Sequence, residues 1–312
     1  MSNELKGYLL VAAAAFFWGL TGAVAKYFFN QALSPLVLVT VRLSLSGLIL
    51  LLIIFLRHPR LLRLHPGDIG KMVIFGIFGM SCVQFLYLYT ISQLNVATAV
   101  FLQYLGPAFI ALYAVFWNRE RLSRHSLSAL LLALGGSALI VAGQSLAGLS
   151  GHWIGLLTGF ISALAMSFYI IYGKVLLNQY NSWVVLGYGL LFGAVPFWFL
   201  EPPWVIYGSH YSGQIWLFFG YIVIFSTLVP FGLAFMGLRY LKPAPASITM
   251  MLEPVIAGVT AYLLLGELLN GWQLAGCSLI LAAVVILNLE HQPAGASPRS
   301  ASTDDRKIPV CK

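Results

Sequence analysis

Charge is what this sequence has least of. Lys and Arg number 17 and Asp and Glu 9, together 8% of 312 residues. A globular domain of this length carries charge on about a quarter of its positions. With 60% hydrophobic residues and a mean hydropathy of +0.90, no soluble surface can be built, and the composition is that of an integral membrane protein. Acids are the scarcer sign, which leaves a formal net charge of +8. The cations stand in short clusters between apolar runs, a pattern of membrane topology and not of a nucleic-acid partner. Cysteine is nearly missing. Cys82 and Cys277 fall inside apolar runs and Cys311 near the end, with neither a disulfide framework nor metal-ligand spacing. All six His lie in loops, at helix ends or in the tail, and no Gly-rich phosphate loop with its Lys is present. No metal centre, hydrolytic nucleophile, cofactor or enzyme activity is therefore expected.

What is present is one apolar run after another. At about 20 residues per crossing, ten spans fit, near 8–29, 35–56, 72–91, 97–117, 127–143, 153–173, 183–200, 215–238, 246–265 and 272–289. The first run is too long for the apolar core of a signal peptide and is read as a retained span. Connections are short, so function must sit within or between helices. After His291 the chain turns small and polar and is expected to be a disordered cytoplasmic tail, 291–312. With ten crossings, 15 of the 17 cations fall on one side, leaving Lys26 and Arg42. That side is cytoplasmic by the positive-inside tendency, so both termini face in.

The chain also repeats. Lys26-Tyr-Phe-Phe-Asn30-Gln31 returns as Lys174-Val-Leu-Leu-Asn178-Gln179, an offset of 148. Leu94, Ala97, Pro107 and Glu120-Arg-Leu122 return as Leu241, Ala244, Pro254 and Glu267-Leu-Leu269, an offset of 147. Each half holds five spans, an odd number, so residues 147–290 enter the membrane in the opposite sense to residues 1–146. Two inverted copies related by an axis in the membrane plane provide two similar conformations, one open to each side.

Glu253 is the acid placed deep in a span, roughly 10 Å from the inner end of the ninth. An ionised carboxylate there needs a partner, a wet cavity or a proton. It is either a proton or amine site, or a cap for backbone groups freed beside Pro254, which leaves the Met250 carbonyl without its helical donor as Pro107 does for Gln103. Its counterpart in the first half is Gly106, so the kink is repeated and the carboxyl group is not. Arg42 lies roughly 10 Å inside the second span. It is a candidate to bind an anion or to pair with Glu253, or else snorkels or bonds helix-end carbonyls. Lys26 and Lys174, at the C-terminal ends of their spans, suit an architectural role. Gln84 and Tyr87 share a helix face, being three residues apart. With Trp18 and Tyr104 they suit a mostly apolar solute bearing an amine or a ring; interhelical hydrogen bonding is the plainer reading. The glycines at 19 and 22, 135 and 136, 155 and 159, and 232 and 237 are expected to let helices approach closely.

The segment YLKPAPASITMMLEPVIAGVTAYLLLGELLNGWQLAGCSLILAAVVI resembles the second EamA-type repeat of the drug/metabolite transporter superfamily. QLNVATAVFLQYLGPAFIALYAVFWNRERLSRHSLSALLLALGGSALIVAG is similar to the first, and the resemblance covers about residues 8–289. It implies an all-α protein of the inner membrane, with ten helices in two inverted five-helix halves around a central cavity. It also implies a secondary transporter of small organic metabolites, an exporter, with protons as the coupling ion in one version and an uncoupled facilitator or exchanger in the other. Gly106 departs from the Glu-Pro pairing, so Glu253 alone carries whatever that carboxylate does. The rival classes are a non-transporting scaffold and an intramembrane lipid enzyme, the latter lacking a visible nucleophile, base or metal cluster.

Overall fold

The computed structural model describes residues 3–29, 34–94, 96–119, 123–142, 153–209, 211–265 and 270–290. The expected tail, Cys311, the Glu120-Arg-Leu122 and Glu267-Leu-Leu269 ends of the repeat and the side chains of Gly22 and Lys26 lie outside them. All regular structure among the described residues is helical. In chain order, leaving aside the short helical turns Pro59–Leu62 and Pro203–Gly208, the helices are α1 (Asn3–Phe29), α2 (Pro35–Arg57), α3 (Pro66–Gln93), α4 (Val96–Gln103), α5 (Gly106–Phe116) and α6 (Arg124–Ala142). There follow α7 (Trp153–Leu177), α8 (Ser182–Leu200), α9 (Gly213–Tyr240), α10 (Pro243–Met250), α11 (Glu253–Leu265) and α12 (Gly271–Glu290). Among the described residues, seven stretches are long and apolar enough to cross a membrane: α2, α3, Thr98–Phe116 (α4 and α5 taken together), α6, α7, α8 and α9.

Local chemistry sets the helix ends. Ser34 accepts from the Leu36 N–H at 3.3 Å with Pro35 in the first turn, and Asn181 Oδ1 accepts from the Trp183 N–H at 2.9 Å. The helix is interrupted between Gln103 and Gly106, and again between Met250 and Glu253. Each interruption is followed by proline, Pro107 or Pro254, which has no N–H to offer the preceding turn. The expected kinks are two-residue interruptions bridged by tight turns, Leu105 N–H to the Leu102 carbonyl and Leu252 N–H to the Thr249 carbonyl, both at 3.2 Å, and they lie 147 residues apart. A second repeated feature was not legible beforehand: Phe75–Ser81 of α3 and Ile222–Leu228 of α9 wind as wide π-turns, also 147 residues apart.

The principal contacts run between halves. α6 packs along α12, α2 along α8, α1 against α9 and α11, and α3 against α7 and α8. The contacts repeat with the chain. Gly7 of α1 closes on Leu241, and Gly155 of α7 closes on Leu94. Gly136 and Gly276 bring the α6 and α12 backbones together, since a Cβ at Gly136 would sit 2.6 Å from the Gly276 carbonyl oxygen. Gly135 does not share this role and has open space beside it. Gly19, Gly159, Gly232 and Gly237 each abut another helix, as expected.

Candidate functional site

The two interruptions come together across the halves, where Tyr104 meets Met250 and Glu253. Glu253 occupies the first turn of α11, where the unbonded N–H groups of a helix start favour negative charge. Tyr104, the first residue after α4, reaches across from the other half. Its hydroxyl lies 2.7 Å from Glu253 Oε2 and 3.0 Å from the Met250 carbonyl oxygen. The carbonyl freed by Pro254 is thus served by a side chain from the opposite repeat. Gly19 lets α1 lie against the Glu253 backbone, where an added Cβ would be 2.9 Å from the carbonyl oxygen. At the equivalent place in the other half, Ser167 donates to the Gly106 carbonyl at 3.0 Å.

Arg42 is buried in α2 and is held by the wide turn of α9. Its Nε donates to Thr227 Oγ1 at 2.7 Å and one terminal nitrogen to the Ser226 carbonyl at 2.7 Å. Thr227 in turn donates to the Ile222 carbonyl, five residues back. The guanidinium lies over the Phe231 ring, 5.7 Å from its centroid. It therefore neither snorkels outward nor forms a direct ion pair with Glu253; among the described residues the recorded ion pair is Lys71–Asp68. The site equivalent to Arg42 is Gly189 of α8, packed against Phe75 and Met80 of the other wide turn. Like Glu253, Arg42 has no charged twin.

Both charged residues line one central cavity of about 80 Å³, room for several waters. Trp18, Gln84, Tyr87 and Tyr104 line it too, so the structure brings the sequence-derived candidates together. Trp18 donates to the Ser226 carbonyl at 3.3 Å and meets the Phe231 ring edge-on. Gln84 is 3% exposed, and among the described residues its side-chain nitrogen has no hydrogen-bond partner. A buried N–H₂ without an acceptor is costly in a membrane protein. Gln103 donates to Ser162 at 3.1 Å, a bond across the halves. Pro107 is buried beside the first break and Pro254 half-buried beside the second. Lys174 stands apart: its ammonium donates to the Leu238 and Arg239 carbonyls at 2.6 and 3.1 Å, capping α9 rather than its own helix.

Residue-by-residue reading missed Met166, Tyr169 and Phe231, which also face the cavity. The repeat contained the signal. An offset of 148 carries Trp18 to Met166 and Thr21 to Tyr169, and an offset of 147 carries Gln84 to Phe231, all of them lining residues. Being apolar or aromatic, three such residues do not stand out in an apolar chain.

Comparison with known proteins agrees with this architecture. A family model described as the EamA-like transporter family matches residues 5–142 and again 153–289. A relative named as the uncharacterized inner membrane transporter YicL of Salmonella typhimurium is 32% identical over 94% of this chain and 98% of its own length. A probable terminal-alkyne amino-acid exporter of Streptantibioticus cattleyicolor is 27% identical over 80% of this chain and 81% of its own. The riboflavin transporter ImpX of Fusobacterium nucleatum is 25% identical over 91% and 98%. One crystal structure superposes with a TM-score of 0.73 at 19% identity, covering 92% of this chain and 98% of the other.

Proposed function

Because this chain belongs to the EamA-like transporter family, its model matching residues 5–142 and 153–289, we propose that it exports a small organic metabolite across the inner membrane by alternating access. In this reading the units 1–146 and 147–290 cross ten times in opposite senses, with both termini cytoplasmic, and rock about the central cavity. The observation that carries it is the cavity itself. It is lined from both halves, holds Arg42 and Glu253 without a bond between them, and contains the unpaired donor of Gln84. Separated charges and an unfilled donor are what a polar solute completes. Aromatic walls from Trp18, Tyr87 and Tyr104 suit its ring or apolar part, and Glu253 its amine. Two relatives are named for small organic solutes, one as a probable terminal-alkyne amino-acid exporter and one as a riboflavin transporter, which supports a solute of that broad class.

Tyr104 supplies a means of proton coupling. Its hydroxyl has one proton and two acceptors, Met250 O and Glu253 Oε2. With Glu253 ionised, the proton goes to the carboxylate and the Met250 carbonyl is left short. With Glu253 protonated, the carboxyl group donates to Tyr104, and Tyr104 donates to Met250. Charge at Glu253 and hydrogen bonding at the helix break are thereby linked. The sign follows: protonation removes the negative charge, so binding of a cationic amine weakens as pH falls. The same bonds also favour a second reading, an uncoupled facilitator or exchanger in which Glu253 serves only the break. Proteoliposomes loaded with candidate amines decide. Coupling predicts that an imposed pH gradient drives flux in the native protein and that Glu253→Gln abolishes this response. Flux indifferent to the gradient in the native protein establishes the uncoupled version.

A further inference from the structure

A second and larger recess runs along the flank between α2, α8 and α9, with a volume of about 950 Å³. Its floor is apolar, formed by Leu50, Val184 and Val229. Its mouth is cationic: Arg57, His58 and Arg60 stand together, all exposed, where α2 ends. No acidic residue lines it, and among the described residues no ion pair engages either arginine. Leu50 precedes Arg57 by seven residues, about 10 Å along the helix axis. Charge and apolar floor are therefore separated along the helix direction, as a headgroup and the upper part of an acyl chain are in a leaflet. Trp183 also lines the recess, its ring seated against Gly232 of α9.

We infer that this recess binds one anionic phospholipid, with its phosphate on Arg57 and Arg60 and an acyl chain laid over Leu50, Val184 and Val229. A guanidinium pairs with phosphate through charge-assisted hydrogen bonds, and basic pockets between membrane helices suit anionic headgroups. A soluble phosphate leaves the apolar floor wet, and a zwitterionic lipid offsets the match at the mouth. The site is separate from the central cavity and does not depend on what the protein carries.

Native mass spectrometry of the full chain, incubated with equal amounts of palmitoyl-oleoyl phosphatidylglycerol and phosphatidylcholine, tests this. One phosphatidylglycerol should be retained with about ten-fold preference. The double substitution Arg57→Gln and Arg60→Gln should abolish the preference without changing the melting temperature in lipid-free detergent. If that variant does not fold, Arg60→Gln alone, on an exposed turn, should reduce it by about three-fold. Val229→Trp, which fills the floor and leaves both arginines, should also lower retention. Equal retention of the two lipids, retention unmoved by these substitutions, or full competition by glycerol 3-phosphate overturns the proposal.

Discussion

One phenolic hydroxyl bonds across the two halves at the second helix interruption. Tyr104 is the described donor to the Met250 carbonyl and also contacts Glu253. Tyr104→Phe leaves that buried carbonyl unpaired at nearly constant volume, which costs about 1–3 kcal/mol. A lowered melting temperature in detergent is the expected outcome, together with reduced solute flux. An unchanged melting temperature would mean that water or another group serves the carbonyl. Glu253 and Arg42 were visible from sequence alone because a charge inside an apolar run has no inexpensive explanation. Their partners were not. That Arg42 turns to Ser226 and Thr227 and not to Glu253 depends on a wide turn that exposes a carbonyl 184 residues away.

At the scale of helices, small residues decide what can touch. Gly136 and Gly276 form the close approach of α6 to α12, whereas Gly135 faces open space. Gly136→Leu forces the pair apart and should destabilise the protein by about 1–3 kcal/mol. Gly135→Ala should be neutral or slightly stabilising, since alanine is the better helix former. Thermal melts of the two variants, one residue apart, measure the difference directly. Sequence reading treated the two glycines alike because neighbours in a helix point about 100° apart, and only the partner's position tells which one is covered. The breaks at Pro107 and Pro254 were legible for the opposite reason, since a missing N–H is a property of the residue itself. The wide turns at Phe75–Ser81 and Ile222–Leu228 carry no such mark.

At the scale of the molecule, the two repeats interlock and do not stand side by side. α1 lies on α9 and α11, α3 on α7 and α8, and α6 on α12, each pair drawn from different halves. Residues 1–146 expressed alone should therefore lack a stable fold and aggregate in detergent. Co-expression with residues 147–312 should restore a monodisperse complex on size-exclusion chromatography. A well-behaved isolated half would contradict the interlocked arrangement. The repeat that made this architecture readable is a matter of offsets, which survive even where the residues differ. The same interlocking has a consequence for biosynthesis. Ribosomes add about 5–20 residues per second, so the partner of Arg42, 184 residues on, emerges roughly 9–37 s after it, and the partner of Gln103, 59 residues on, roughly 3–12 s after it. Through those intervals Arg42 waits in the bilayer without Ser226 and Thr227, and Gln103 without Ser162. The nascent first half is thus a natural client for membrane chaperones and a target for proteolytic surveillance until its twin arrives.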